Sequence, residues 1–175
     1  MRIKYTGKIC ALLIATTLIG CKTYSVSVND NVVYTPLPLF KEFTIADSHL
    51  GACIEQTIID NKITKASELK QLNCSNAGIT TLAGLETFSS IEELNLAENA
   101  ITSASPLTKL GMLQVLILRK NNLTSAEPLL QLLHLRELDI SENEKLGCGD
   151  IKQMLANFPK HDLKATLPEQ CKKGV

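Results

Sequence analysis

The sequence predicts an α/β fold of the solenoid type, with four short parallel strands on a concave face and a helical cap at each end. Three observations predict it. The middle of the 175-residue chain repeats itself every 22 residues. Inside each repeat the apolar residues keep strand alternation only briefly and then fit no helical period. The segments on either side do have helical spacing, as the ends of a stack require.

The repeats come first. LKQLNCSNAGITTLAGLETFSS begins at Leu69, IEELNLAENAITSASPLTKLGM at Ile91, LQVLILRKNNLTSAEPLLQLLH at Leu113 and LRELDISENEKLGC at Leu135. The shared frame is L-x-x-L-x-L-x-x-N-x-I. It resembles the leucine-rich repeat, and the later part of each unit, Ile101-x-x-Ala104-x-x-Leu107-x-x-Leu110, resembles the 22-residue class seen in the internalins. The resemblance covers residues 69–146 and implies a leucine-rich-repeat solenoid. One unit cannot bury its own apolar side, so stacked units share a continuous core. In the strand of the second unit, Leu94 and Leu96 are expected to point inward and Glu93, Asn95 and Ala97 outward. Asn99, Asn121 and Asn143 recur in register where the chain leaves each strand. An amide there can donate and accept, so the three are expected to form a ladder that satisfies buried backbone groups. The first unit has Ala77 in that slot, a departure that suits a unit shielded by a cap. Pro106 and Pro128 fall at equivalent positions on the convex side, where they fit a tight turn or the start of a 3-10 segment.

The caps flank the repeats. Residues 46–68 form the expected N-terminal cap: Asp47 is a good N-cap, and Leu50, Cys53, Ile54, Thr57 and Ile58 follow at helical spacing. Residues 147–175 form the C-terminal cap, where GDIKQMLANF reads as a short helix ended by Pro159. Both caps carry cysteines. Cys53, Cys74, Cys148 and Cys171 allow three connectivities, and an exported compartment favours disulfides. Cys74 takes the inward slot that Leu96 holds in the next unit, facing the N-terminal cap, so Cys53–Cys74 and Cys148–Cys171 are the expected pairs. The alternative is four buried thiols acting as small apolar residues. No C-x-x-C or histidine cluster accompanies them, so no metal is expected.

The N-terminus reads as an address. Arg2, Lys4 and Lys8 precede an apolar run of about a dozen residues, shorter than the roughly 20 needed to span a bilayer as a helix. The run ends in Leu18-Ile19-Gly20-Cys21, which resembles the lipobox of bacterial lipoproteins. The resemblance implies that residues 1–20 are a signal peptide and that Cys21 becomes a lipidated N-terminus. Several acyl chains would anchor it stably, at about 0.8 kcal/mol per buried CH₂. Lys22, in place of the aspartate that retains lipoproteins in the inner membrane, implies the outer membrane of the bacterial cell envelope if the organism is Gram-negative. Residues 21–45 are read as a tether. Within them YSVSV and VVYT flank Asn29-Asp30-Asn31 and suggest a hairpin.

Composition narrows the function. Of 18 Lys and Arg, three lie in the first twenty residues, which hold no acid; the 15 that remain face 18 Asp and Glu, a charge of −3. There is no basic stripe and no Trp, which argues against nucleic acid as a partner. His49, His134 and His161 are dispersed, and no phosphate or dinucleotide loop is present. Neither catalytic residues nor a cofactor are expected. The concave columns run Gln71, Glu93, Val115, Glu137, then Asn73, Asn95, Ile117, Asp139, then Ser75, Ala97, Arg119, Ser141. Val115 and Ile117 form an apolar spot bordered by Arg119 and Lys120, with Glu93, Asn95, Glu137 and Asp139 on neighbouring strands. This is the expected contact surface for a protein or peptide, in a monomeric domain. Four strands offer only roughly 300 Å², whereas a standard interface takes about 800 Å² from each partner. A peptide-sized element suits it, and a firm complex would enlist other surfaces. The alternative is a structural or assembly lipoprotein, with the repeats as a rigid spacer and the hairpin as the contact element.

Overall fold

The computed structural model describes residues 26–28, 31–34, 37–158 and 163–172. Residues 1–20, read above as a signal peptide, and Cys21, Lys22, Pro159 and His161 lie outside the described residues. The chain divides into two units, Met1–Pro38 and Leu39–Val175.

In the first unit, strands β1 (Val26–Val28) and β2 (Asn31–Tyr34) pair antiparallel, with an irregular register between Val26 and Ser27. The β-prone residues on either side of the Asn29-Asp30-Asn31 sequence are sufficient cause.

The second unit is the solenoid. Helix α1 (Ser48–Asn61) precedes four strands in register, β3 (Gln71–Asn73), β4 (Glu93–Asn95), β5 (Val115–Ile117) and β6 (Glu137–Asp139). Each strand pairs parallel with the next, residue for residue at a step of 22. Between strands the chain returns through short 3-10 turns, such as Ser105–Lys109 and Glu127–Gln131, whose second residues are Pro106 and Pro128. Proline's fixed φ and absent N–H suit the first turn, where an N–H has no partner within the turn. Helix α2 (Cys148–Ala156) follows, and strand β7 (Lys164–Thr166) then pairs parallel with β6. The sheet therefore has five strands, one more than the repeats alone predict. The extra strand accepts from Ile140 N through Thr166 O at 3.0 Å and covers backbone groups that β6 would otherwise present bare.

A single core runs the length of the stack, through Leu72, Leu94, Leu116 and Leu138 under the sheet and Leu85, Leu107 and Leu129 behind it. At its N-terminal end Phe88 is fully buried and meets Phe40 and Phe43, with centroids 6.0 and 5.3 Å away. The stretch 39–45, grouped with the tether in the sequence reading, thus packs on the core with Leu39, Phe40, Phe43 and Ile45 partly buried. It crosses Gly84 so closely that a Cβ there would collide with the carbonyl oxygen of Thr44.

Each cap is fastened twice. Cys53 of α1 is bonded to Cys74 just past β3, with Cα atoms 5.9 Å apart, and Cys148 of α2 to Cys171, with Cα atoms 5.2 Å apart. A carboxylate fastens each cap as well. Asp47 Oδ1 accepts from His49 N and Leu50 N at the start of α1, while Oδ2 accepts from Thr80 N and the Thr80 hydroxyl, both at 2.9 Å. At the other end Asp150 Oδ2 accepts from the Ser125 hydroxyl at 2.8 Å. Burial by itself would raise the Asp47 carboxyl. The hydrogen bonds from Thr80, Leu50 and Thr81 outweigh it and hold the pKa down at about 2.

Candidate functional site: the groove between the cap helix and the sheet

The asparagine ladder sets the strands of the site in place. Asn99 Oδ1 accepts from Ala77 N and Ile79 N, and its Nδ2 donates to the carbonyls of Cys74 and Leu96. Asn121 repeats the pattern with Ile101 N, Leu96 O and Leu118 O, and Asn143 with Leu123 N, Leu118 O and Ile140 O. Each amide joins its own coil to the preceding one, so the first unit, with Ala77 in the slot, is served by Asn99 from above.

On the outward face of these strands lies a groove of about 520 Å³, open to solvent. Its floor is β3, β4 and β5, with Gln71, Asn73, Glu93, Asn95, Val115 and Ile117. Its wall is the last turn of α1, with Thr57, Asp60 and Asn61. Val115 and Ile117 are half-exposed because strand alternation sends their neighbour Leu116 into the core and them to the open face. The structure therefore gathers four of the sequence-predicted contact residues, Glu93, Asn95, Val115 and Ile117, in one concavity.

The other four sit outside that groove. Arg119 is held between two acids, with NH2 2.9 Å from Glu98 Oε1 and NH1 2.9 Å from Glu142 Oε1. Lys120 Nζ is 3.2 Å from Glu98 Oε2. The hydrogen bond from Lys120, its charge and the Arg119 guanidinium hold the Glu98 carboxyl below its ordinary range. The Glu142 carboxylate, through its hydrogen bond and charge, stabilises the Arg119 cation further. Glu137 Oε1 receives Lys164 Nζ of β7 at 2.9 Å, and Asp139 Oδ1 accepts from Ser141 N at 3.0 Å and from its hydroxyl at 2.6 Å. These charges already have partners within the chain, whereas no ion pair among the described residues engages Glu93 or Asp60.

Sequence reasoning missed the α1 wall. Asp60 and Asn61 are the last two residues of α1, and only the docking of that helix on β3 brings them over the sheet. The Cys53–Cys74 bridge, from mid-helix to the end of β3, is the clue that could have placed them. The two described histidines do not line the groove. His49 Nδ1 lies 3.8 Å from Asp47 Oδ1, and His134 Nδ1 lies 2.9 Å from the Gly111 carbonyl. Among the described residues no trio of His, Cys, Asp or Glu is arranged to hold a metal ion. The groove's means are contact area, amide hydrogen bonds and charge.

Similarity to solved structures follows the same geometry. An internalin (inlF) from Listeria monocytogenes matches with a TM-score of 0.62 and 27% identity, over 71% of this chain and 37% of that one. Internalin C2 (inlC2) from the same organism matches with a TM-score of 0.60 and 20% identity, over 71% of this chain and 56% of that one. The fold is a leucine-rich-repeat solenoid. No protein-family model and no curated protein matches the chain. This leucine-rich-repeat chain spans between about a third and just over half of the two internalin chains.

Proposed function

We propose that this chain is a protein-binding leucine-rich-repeat module of a bacterial envelope, anchored by lipid at Cys21 and meeting its partner on the concave face. The observation that carries the binding reading is the half-exposed pair Val115 and Ile117 at the centre of the sheet, walled on one side by α1. An apolar pair in a polar-rimmed concavity, built on rigid strands, is what a recognition site requires. Glu137, Asp139, Arg119 and Lys120 would form its rim. The lipid anchor rests on the tetrapeptide ending at Cys21, and the outer-membrane placement on Lys22. No catalytic role is proposed, since the groove holds no nucleophile paired with a base.

The test is capture of proteins from intact envelopes by crosslinking and pull-down. Val115→Asp and Ile117→Asp should each abolish capture while the purified protein keeps its unfolding midpoint. Capture that survives both substitutions rejects the concave site. Cys21→Ser should move the protein from the membrane to the soluble fraction. A second reading draws on the β1–β2 hairpin, which forms within its own unit and could donate a strand to a partner. It wins if deletion of residues 24–34 abolishes capture and the two Asp substitutions do not.

A further inference from the structure

From the groove's polar inventory we infer the class of its occupant: an extended peptide segment that carries Lys or Arg beside an aliphatic side chain. This deepens the concave-face reading and rests on it. Three features of the groove converge on that occupant.

The first is charge. Asp60 and Glu93 are the two ionisable residues that line the groove, one on the wall and one on the floor, and no cation lines it. Glu93 is exposed, and Asp60 accepts only from Gln56 Nε2, at 2.8 Å, in place of a cation. Arg119 and Lys120, which follow β5, are held by Glu98 and Glu142, and Lys70, beside Gln71, is paired with Glu92. A carboxylate on each side of an apolar floor attracts a cationic side chain, the more so where the low-dielectric body of the protein excludes water from one side.

The second is the orientation of two amides. Ser75 N donates to Asn73 Oδ1 at 3.2 Å, and Ala97 N donates to Asn95 Oδ1 at 3.0 Å. These turns fix which end of each amide is oxygen, and both residues line the groove. Neither Nδ2 has a hydrogen-bond acceptor among the described residues. Two amide donors on adjacent strands can each take a carbonyl oxygen of a bound main chain. They favour an occupant rich in acceptors, such as a peptide main chain, over a simple amine.

The third is the floor. Val115 and Ile117 stand two residues apart on β5, beyond Glu93 and Asn95 of β4. An aliphatic side chain seated on them would place the main chain over the amides and a flanking Lys or Arg within reach of Glu93 or Asp60.

The experiment uses the full-length oxidised chain in detergent and a fluorescein-labelled octapeptide of alternating Lys and Val, with Glu/Val and Lys/Ser octapeptides as comparisons, followed by anisotropy. The Lys/Val peptide should bind at least tenfold more tightly than either. Glu93→Lys combined with Asp60→Lys should weaken it at least tenfold, and added salt should weaken it as well. Glu86→Lys combined with Glu127→Lys, an equal charge change at exposed positions on the convex side, should leave it unchanged. Equal binding of Lys/Val and Glu/Val peptides, or insensitivity to the Glu93/Asp60 reversal, overturns the inference. The concave reading fails separately: if Val115→Asp leaves envelope capture intact, the site itself is wrong. If Val115→Asp abolishes capture and the Glu93/Asp60 reversal does not, the site stands and the cationic occupant is rejected.

Discussion

Asn121 and Asn143, one coil apart, donate to the same acceptor, the carbonyl oxygen of Leu118, each at 3.0 Å. Leu96 is shared in the same way by Asn99 and Asn121, at 2.9 Å each. The ladder is therefore continuous, and loss of one amide strands groups on two coils. Asn121→Ala would leave Ile101 N and part of two buried carbonyls without partners. It should cost about 3 kcal/mol, given roughly 1–3 kcal/mol for each buried group left unsatisfied. Urea unfolding should show a lower midpoint at unchanged slope. A loss below about 1 kcal/mol would mean that water replaces the amide.

Asp47 ties stability to acid. Its carboxyl titrates at about 2 in the folded chain against 3.8 ordinarily, so the folded state favours the ionised form. The stabilisation is fully present above about pH 4 and is lost as pH falls through about 2. The shift corresponds to about 2 kcal/mol. Asp47→Asn should remove it at neutral pH and flatten the stability profile between pH 4 and 2, as read by thermal unfolding at stepped pH. A wild-type slope retained in the variant would assign the effect to another carboxyl.

The two bridges close loops with sequence separations of 21 and 23, each worth about 3 kcal/mol in the chain-entropy picture. Cys53→Ser with Cys74→Ser should lower stability by about that amount, and so should the pair Cys148→Ser with Cys171→Ser. Since the bridges fasten opposite ends, the two losses should add. The N-terminal pair should also weaken peptide binding in the groove, because α1 is its wall. The C-terminal pair should not. Equal effects on binding would argue that the wall is held by packing alone.

Backbone strain offers a gain. Lys62 ends α1 with φ 54°, and its N–H and that of Ile63 return to the last carbonyls of the helix. A left-handed residue at this site favours glycine, so Lys62→Gly should stabilise by about 1 kcal/mol. Glu98, Lys120 and Glu142 repeat the conformation in successive coils, with φ 58°, 56° and 54°. Lys120→Gly should gain less than Lys62→Gly, as it also severs the contact with Glu98. Differential unfolding of the two variants decides the order.

The repeats were legible because their frame is local: Leu94 and Leu96 can face only one way once Asn99 fixes the turn. The 3-10 turns were legible through Pro106 and Pro128 for the same reason. Strand β7 was not, since Lys-Ala-Thr carries no apolar alternation and exists as a strand only because β6 presents a free edge. Phe40 and Phe43 were hidden among prolines and polar residues, and only the position of Phe88 explains them. At the site, the outward columns could be read letter by letter, but the partners of Arg119 could not. Those partners, Glu98 and Glu142, occupy left-handed positions where sequence reasoning would look for glycine. Asp60 and Asn61 depend on the angle at which a helix meets a sheet, which no pattern of letters encodes.

Helix α1 walls only β3 to β5, and every coil from β3 to β6 meets its neighbour in the same register. A duplicated 22-residue coil inserted beyond β6 would lengthen the molecule by about 4.8 Å and leave the groove and its rim untouched. Reach and recognition are thus separately heritable here, and lineages can differ in the one without risking the other.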